Sequence, residues 1–289
     1  MGIYLTLALN GIVNGSLYFL MAAGLTLIFG LMRVVNFAHG GLYLWGAYLA
    51  AFTFATTGNF TLALVAGAVV AIVLGVIMER GLIAFVYHNE NGQLLVTMGI
   101  MLILTELIKV PFGPSELSAN TPNDLSNSWL VGQVVIVQYQ LFMIAASVIV
   151  FLLLLWVLHK TRLGMIVRAG VYNPELVEAC GIAIRRVFTM VFAVGAGLAG
   201  LAGAIAGPYL GAVTPTMGFD MQLNVFIIVV VGGLGSLTGS FVASMLIGIL
   251  TAVVSFYFSS LAVLVNVLVM VVVLLIRPQG LFGERESPA

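Results

Sequence analysis

Apolar stretches of membrane-spanning length alternate with short polar breaks along almost the whole chain. A crossing helix needs roughly 20 mostly apolar residues, and the runs 3–31, 37–56, 60–78, 94–112, 139–158, 187–207, 222–254 and 259–276 meet or approach that length. Two of them are irregular. The run 3–31 is overlong and carries Asn10, Gly11, Asn14 and Gly15, which predicts a break into a short piece and a full helix. The run 222–254 holds Gly232-Gly233-Leu234-Gly235-Ser236 near its middle and is long enough for two segments. The pattern predicts an all-α polytopic bundle of about eight to ten spans, with broken or re-entrant segments. It reads as one transmembrane domain over residues 1–289.

Composition fixes the solvent. Sixty-two per cent of the residues are apolar and 7% charged, against roughly 25% charged in soluble domains, so the surface must face lipid. The net charge of zero argues against nucleic-acid binding. A single cysteine, Cys180, excludes a disulfide within the chain and a cysteine-based metal cluster, and no metal site is expected. The opening MGIYLTLALNG lacks a basic segment and a cleavage site, so it reads as membrane sequence.

The few charges are unevenly placed. The stretch 159–186 carries five of the ten Lys and Arg residues, and Arg277 and Arg285 follow the last apolar run. The loop 113–138 has only Glu116 and Asp124, and the loop 208–221 only Asp220. Positive loops stay cytoplasmic, which puts the first pair inside and the second outside. Passing from an outer 208–221 to an inner C-terminus needs an odd number of crossings, so 222–254 should be two short segments or a span with a re-entrant piece. Lys109 goes against the rule, but it can snorkel and pair with Glu106 at i, i+3.

Within the basic stretch, Asn173-Pro174-Glu175-Leu176-Val177-Glu178-Ala179-Cys180-Gly181 reads as a short capped helix. Asn173 suits the N-cap, Pro174 the first turn, Glu175 the positive end of the dipole and Gly181 the stop. Leu176, Val177 and Cys180 fall on one face, Glu175 and Glu178 on another. Two readings stay open on these residues: a surface helix inserted into a cytoplasmic partner, or an interfacial helix lying on the headgroups. The segment Asn36-Phe37-Ala38-His39-Gly40-Gly41 interrupts an apolar run and reads either as part of a translocation path or as a satisfied packing corner. Gly195, Gly197, Gly200, Gly203 and Gly207 share faces that permit close helix packing.

Enzymatic readings do poorly. An intramembrane hydrolase built on Ser236 or Ser240 needs a positioned base, and the histidines are only His39, His88 and His159. Neither lysine sits in a phosphate-loop motif. Ion coupling wants buried acids, yet residues 1–78 contain none and 187–276 only Asp220, while Glu79 and Glu106 lie near span ends. Energy for uphill transport would have to come from another subunit.

The combination of Asn14-Gly15-Ser16-Leu17-Tyr18, the run Gly24 to Gly30, Asn36 to Gly40, Gly46-Ala47-Tyr48, Gly181-Ile182, Gly197 to Gly203, Gly232 to Ser236 and Arg277-Pro278-Gln279-Gly280-Leu281-Phe282-Gly283 resembles permeases of branched-chain amino acid ABC importers, the LivH type. The resemblance covers nearly the whole chain. It implies a multi-pass subunit of the bacterial inner membrane with no cofactor of its own, importing hydrophobic amino acids or related amides, urea or aromatic acids. It also implies a second homologous permease, two cytoplasmic ATPases that bind ATP and Mg, and a periplasmic solute-binding protein. Residues Asn173, Pro174, Glu175, Leu176, Glu178, Ala179 and Gly181 would then form the coupling helix seated on an ATPase. Glu178-Ala179 before Gly181 looks like a shortened Glu-Ala-Ala loop with Cys180 in place of the second alanine. Asn36, His39, Gly40, Gly232, Gly233, Gly235 and Ser236 are the expected path-lining positions. The rival is a stand-alone channel or facilitator for a small neutral solute, which gives no reason for a capped helix in the basic stretch.

Overall fold

The computed structural model describes residues 2–283 apart from His88 and Gln133; Arg285 and His88, counted above, therefore lie outside the described residues. Among the described residues there are eleven α-helices: α1 Gly2–Met32, α2 His39–Thr57, α3 Phe60–Gly81, α4 Glu90–Phe112, α5 Gln138–Lys160, α6 Arg162–Tyr172, α7 Pro174–Ala179, α8 Ile184–Leu210, α9 Met217–Gly232, α10 Leu237–Tyr257 and α11 Ala262–Ile276. Six of these (α1, α3, α4, α5, α8 and α10) are long and apolar enough to cross a membrane, and α9 is a shorter apolar helix. The protein is a polytopic helical membrane protein.

The expected break in α1 does not occur. Gly11 and Gly15 lie against Ile249 and Ser244 of α10, and α1 runs unbroken through them. The asparagines that suggested a break make interhelical bonds instead. Asn10 Oδ1 accepts from Gln140 Nε2 at 3.3 Å, and Asn14 Oδ1 accepts from Tyr209 Oη at 3.0 Å. Such bonds average roughly 0.6 kcal/mol each in lipid; their role is to satisfy polar groups that hydrocarbon would not.

The glycine stripe of α8 does what its spacing predicts. A Cβ on Gly203 would stand 2.0 Å from the Tyr43 carbonyl oxygen, so α2 and α8 touch backbone to backbone there. Around this contact α1 packs on α10 and α8, while α2 packs on α3, α8, α4 and α9.

The run 222–254 is two helices, as parity requires. α9 ends at Gly232, α10 starts at Leu237, and Gly233 and Gly235 between them sit at φ of +102° and +83°. One boundary differs. The loop after α8 is shorter than 208–221, because α8 runs to Leu210 and α9 begins at Met217, placing Asp220 in the first turn of α9, where the helix dipole favours an acid.

Two ends of the bundle differ in charge. Gly30 meets Gly235, Gly233 meets Gly283, and Gly170 meets both Leu31 and Ile184. These contacts gather Met32, α6, α7, the glycine break and the C-terminal segment at one end, with Arg33, Arg80, Arg168, Arg185, Arg186 and Arg277. At the opposite end, β1 Leu117–Ser118 pairs with β4 Ala212–Val213, and Ala119 N–H donates to Gly211 O at 3.0 Å. The two loops expected outside are thus joined in one surface. A hairpin of β2 Ser128–Val131 and β3 Val134–Val137 stands beside it. Ser126 is exposed there, and a cysteine at this position is expected to react with an impermeant maleimide from outside intact cells. Labelling only after the membrane is opened would reverse the orientation.

Candidate functional site

At the basic end, α5 hands over to α6 through Thr161, whose Oγ1 accepts from Gly164 N–H at 3.3 Å. Asn173 then closes α6 and opens α7: its Oδ1 accepts from Leu176 N–H at 3.0 Å. α7 is six residues, Pro174–Ala179, with Glu175 in its first turn. Gly181 follows at φ +83°, donating to Glu178 O at 2.9 Å, and Ile182 N–H donates to Val177 O at 3.3 Å. Amides of the exit turn thereby satisfy carbonyls that a helix end leaves open.

The apolar face expected for α7 is split. Val177 is 7% exposed and anchors the helix, whereas Leu176 is 64% exposed and points away. Consecutive residues differ by about 100° around a helix, so one turns in as the next turns out. Glu175, Leu176, Glu178, Ala179 and Cys180 are all exposed. The result is a small anchored knob with an acidic and apolar surface.

Behind the knob lies an open cleft of about 1070 Å³, lined by residues that include Arg33, Arg80, Glu90, Glu175, Glu178 and Arg185. The sole ion pair among the described residues is elsewhere, Lys109 to Glu106 at 2.5 Å. That pair is the i, i+3 contact expected from sequence.

The second group of predicted positions lies deeper. Val34, Asn36, Ala38 and His39 are buried, and the segment before α2 is not helical. His39 Nε2 lies 3.2 Å from Met21 O. Met21 precedes the end of α1 at Met32 by three turns, so α2 starts on the order of 15 Å inside the bundle. Non-helical backbone at that depth survives because protein surrounds it. Gly40 allows the approach: a Cβ there would stand 2.3 Å from Gly218 O. Asn36 Oδ1 accepts from Ala38 N–H at 3.0 Å, and Gln222 Nε2 donates to Asn36 O at 3.3 Å. Asn36 Nδ2, His39 Nδ1, Tyr43 Oη and Gln222 Oε1 are buried with no hydrogen-bond partner. A buried polar atom left unpaired costs roughly 1–3 kcal/mol, so the start of α2 is a place of unmet polar demand.

The third group is at the basic end and does not join the second. Gly232–Ser236 lies beyond Gln222 on α9, roughly 15 Å further along that helix. Leu281 N–H donates to Val231 O at 2.8 Å and Phe282 N–H to Gly232 O at 3.0 Å. The C-terminal motif therefore caps α9. Ser236 caps α10, its Oγ accepting from Gly239 N–H at 3.1 Å, and Ser240 Oγ lies 2.7 Å from Thr26 Oγ1. Both serines are occupied structurally.

Two residues of this region were missed in the sequence. Gln222 reads as one polar residue in an apolar run, and Glu79 as an acid at a span end. Glu79 is in fact 3% exposed. Its carboxylate accepts from Tyr87 Oη, and from Thr189 Oγ1 at 2.8 Å. Burial and the Glu79 contact both push the Tyr87 phenol up, so it stays protonated and donating. Only spatial partners reveal this group, since Thr189 is 110 residues away.

The described residues thus form a broken-helix membrane bundle with an anchored surface helix at its basic end. Residues 7–276 match the branched-chain amino acid transport system permease component family, and the chain belongs to that family. It is 28% identical to the high-affinity branched-chain amino acid transport system permease LivH of Escherichia coli K12, over 96% of this chain and 94% of the relative. The corresponding permease BraD of Pseudomonas aeruginosa is 27% identical over 98% of this chain and 97% of its own length. More distantly, the ribose import permease RbsC of Escherichia coli K12 is 28% identical over 80% of this chain and 72% of its own length. No solved structure matches the chain. The protein is a multi-pass ABC importer permease with no cofactor of its own, and ATP is hydrolysed on partner subunits.

Proposed function

We propose that this chain forms the translocation path for branched-chain or other hydrophobic amino acids, or for related amides, urea or aromatic acids. In this reading it pairs with a second, homologous permease and with two cytoplasmic ATPases, and receives solute from a periplasmic binding protein. The observation that carries the reading is α7: a capped helix anchored by Val177 that leaves Glu175, Leu176, Glu178 and Ala179 exposed at the basic end. The positive-inside rule puts that end in the cytoplasm, where an ATPase can seat it. The joined surface of β1 and β4 at the other end is the docking face for the binding protein. Closure of the ATPases on ATP moves α7, and with it α8, so that access to the path alternates between the two sides. Asn36, His39 and Gly40, with their unpaired neighbours, are the groups that a polar solute would satisfy.

A stand-alone channel for a small neutral solute would share the broken helices but would leave α7 without a task. Mass spectrometry of whatever co-purifies with the tagged chain from its host in mild detergent separates the two. Two phosphate-loop ATPases and a second permease are expected. Recovery of this chain alone, passing solutes into liposomes without ATP, would overturn the importer reading.

A further inference from the structure

Polar residues near the basic end, buried apart from the half-buried Thr189 and Tyr87, form one connected line. It begins on α8, directly after the α7 knob. Thr189 Oγ1 donates to Glu79 Oε2 at 2.8 Å, and Tyr87 Oη donates to the other carboxylate oxygen. Gln93 Nε2 on α4 donates to Tyr87 O at 2.8 Å. Thr97 Oγ1, one turn on, lies 2.7 Å from Gln93 O and 3.4 Å from Val35 O. Val35 belongs to the non-helical segment before α2, where the next carbonyl, Asn36 O, accepts from Gln222 Nε2. Glu79, Gln93, Thr97, Asn36 and Gln222 are all buried. A line of polar contacts, half-buried at Thr189 and Tyr87 and with the single Thr97 proton shared between Gln93 O and the more distant Val35 O, thus runs from α8 to the segment that carries the unpaired polar atoms.

We propose that Glu79 is a positioning residue for transport, tying the α7–α8 joint through Tyr87, Gln93 and Thr97 to the segment 34–38 so that movement at the knob displaces the start of α2. This rests on the importer reading above. A carboxylate is the suitable group at the head of the line. A carboxylate that accepts from both hydroxyls fixes them as donors and holds α8 and Tyr87 in one register. A glutamine there would present an N–H to a hydroxyl that is already donating, and one of the two contacts would have to turn. Glu79 lines the open cleft beside Arg80 and Arg185 yet is only 3% exposed, and a buried ionisable group in a membrane protein is rare and usually functional. A continuous line of contacts is not by itself coupling, so the test must read coupling.

The assembled importer in proteoliposomes, with its ATPases and binding protein, gives that reading as solute moved per ATP hydrolysed. Glu79→Gln is expected to hydrolyse ATP while moving at least tenfold less solute per ATP. Thr97→Val, which removes the last link to Val35 O and leaves Glu79 intact, is expected to lower the same ratio. A cysteine at Val35 in a Cys180→Ser background keeps the backbone carbonyl. It should change its maleimide reactivity when ATP is trapped, and Glu79→Gln should abolish the change. A merely structural role would lower protein yield, hydrolysis and transport together and leave the ratio unaltered. An unaltered ratio in Thr97→Val, or in Glu79→Gln, overturns the inference even if one variant folds poorly. If the unsubstituted chain recruits no ATPase, the importer reading falls and the inference falls with it. Normal recruitment with an unaltered ratio removes the inference alone.

Discussion

Gly233→Val is expected to abolish uptake and to loosen the C-terminal segment. Gly233 has φ +102° and ψ 120°, a backbone state that a β-branched residue avoids. The strain is of the order of 1–3 kcal/mol. Space compounds it. A Cβ at this position would stand 2.5 Å from Gly283 N and 2.8 Å from Gly283 Cα, both backbone atoms of the segment that caps α9. Overpacking of this kind typically adds roughly 1–3 kcal/mol, so the two together amount to about 2–6 kcal/mol, enough to displace the cap. The amides of Leu281 and Phe282 would leave Val231 O and Gly232 O, fraying α9 at the turn into α10. Uptake of radiolabelled solute should fall to background, and limited proteolysis should clip the tail faster than in the unsubstituted protein. Unchanged uptake would make the glycine break incidental.

That the break exists was legible from sequence, because two independent constraints met there: charge parity demanded an extra crossing, and three glycines stood where it could occur. The reason for the glycines was not legible. It lies in the C-terminal motif, whose backbone packs on Gly233, and nothing local to the two segments links them. α1 failed in the opposite sense. Asn10 and Asn14 look like helix breakers in isolation, but their partners Gln140 and Tyr209 are 130 and 195 residues away. Polar residues in an apolar run carry the same sequence signal whether they break a helix or bridge two. The capped helix α7 was readable because capping is local: Asn173, Pro174 and Gly181 each act within three residues. Its exposure was not, since Val177 and Leu176 are equally apolar and only the packing on the bundle decides which turns inward. Of the mid-bundle positions, Asn36 and His39 stood out as polar, while Gln222 did not, because its role depends on α9 crossing the segment before α2.

Glu178→Lys is expected to leave the protein in the membrane and to remove transport. Glu178 is exposed on α7, and its side chain is not among those that hold the helix in place; Asn173, Val177 and the exit turn at Gly181 do that. Insertion and fold should therefore survive, with thermal stability in detergent close to that of the unsubstituted chain. The surroundings already carry Arg80, Arg185 and Arg186 around the cleft. Reversing Glu178 leaves the knob with one acid, Glu175, beside a new base, and a partner that fits an acidic knob meets repulsion in place of attraction at that position. Losing one partner of a buried interfacial charge contact costs roughly 2–5 kcal/mol, and each 1.4 kcal/mol is about tenfold in affinity. ATPase recovered in pull-downs should drop at least tenfold and uptake with it. The contrast with Gly233→Val is diagnostic: there the tail loosens and the fold suffers, whereas here the fold stands and only the partner is lost. Full uptake and full ATPase recovery in Glu178→Lys would take α7 out of the interface and return it to the headgroup region as a membrane-surface helix.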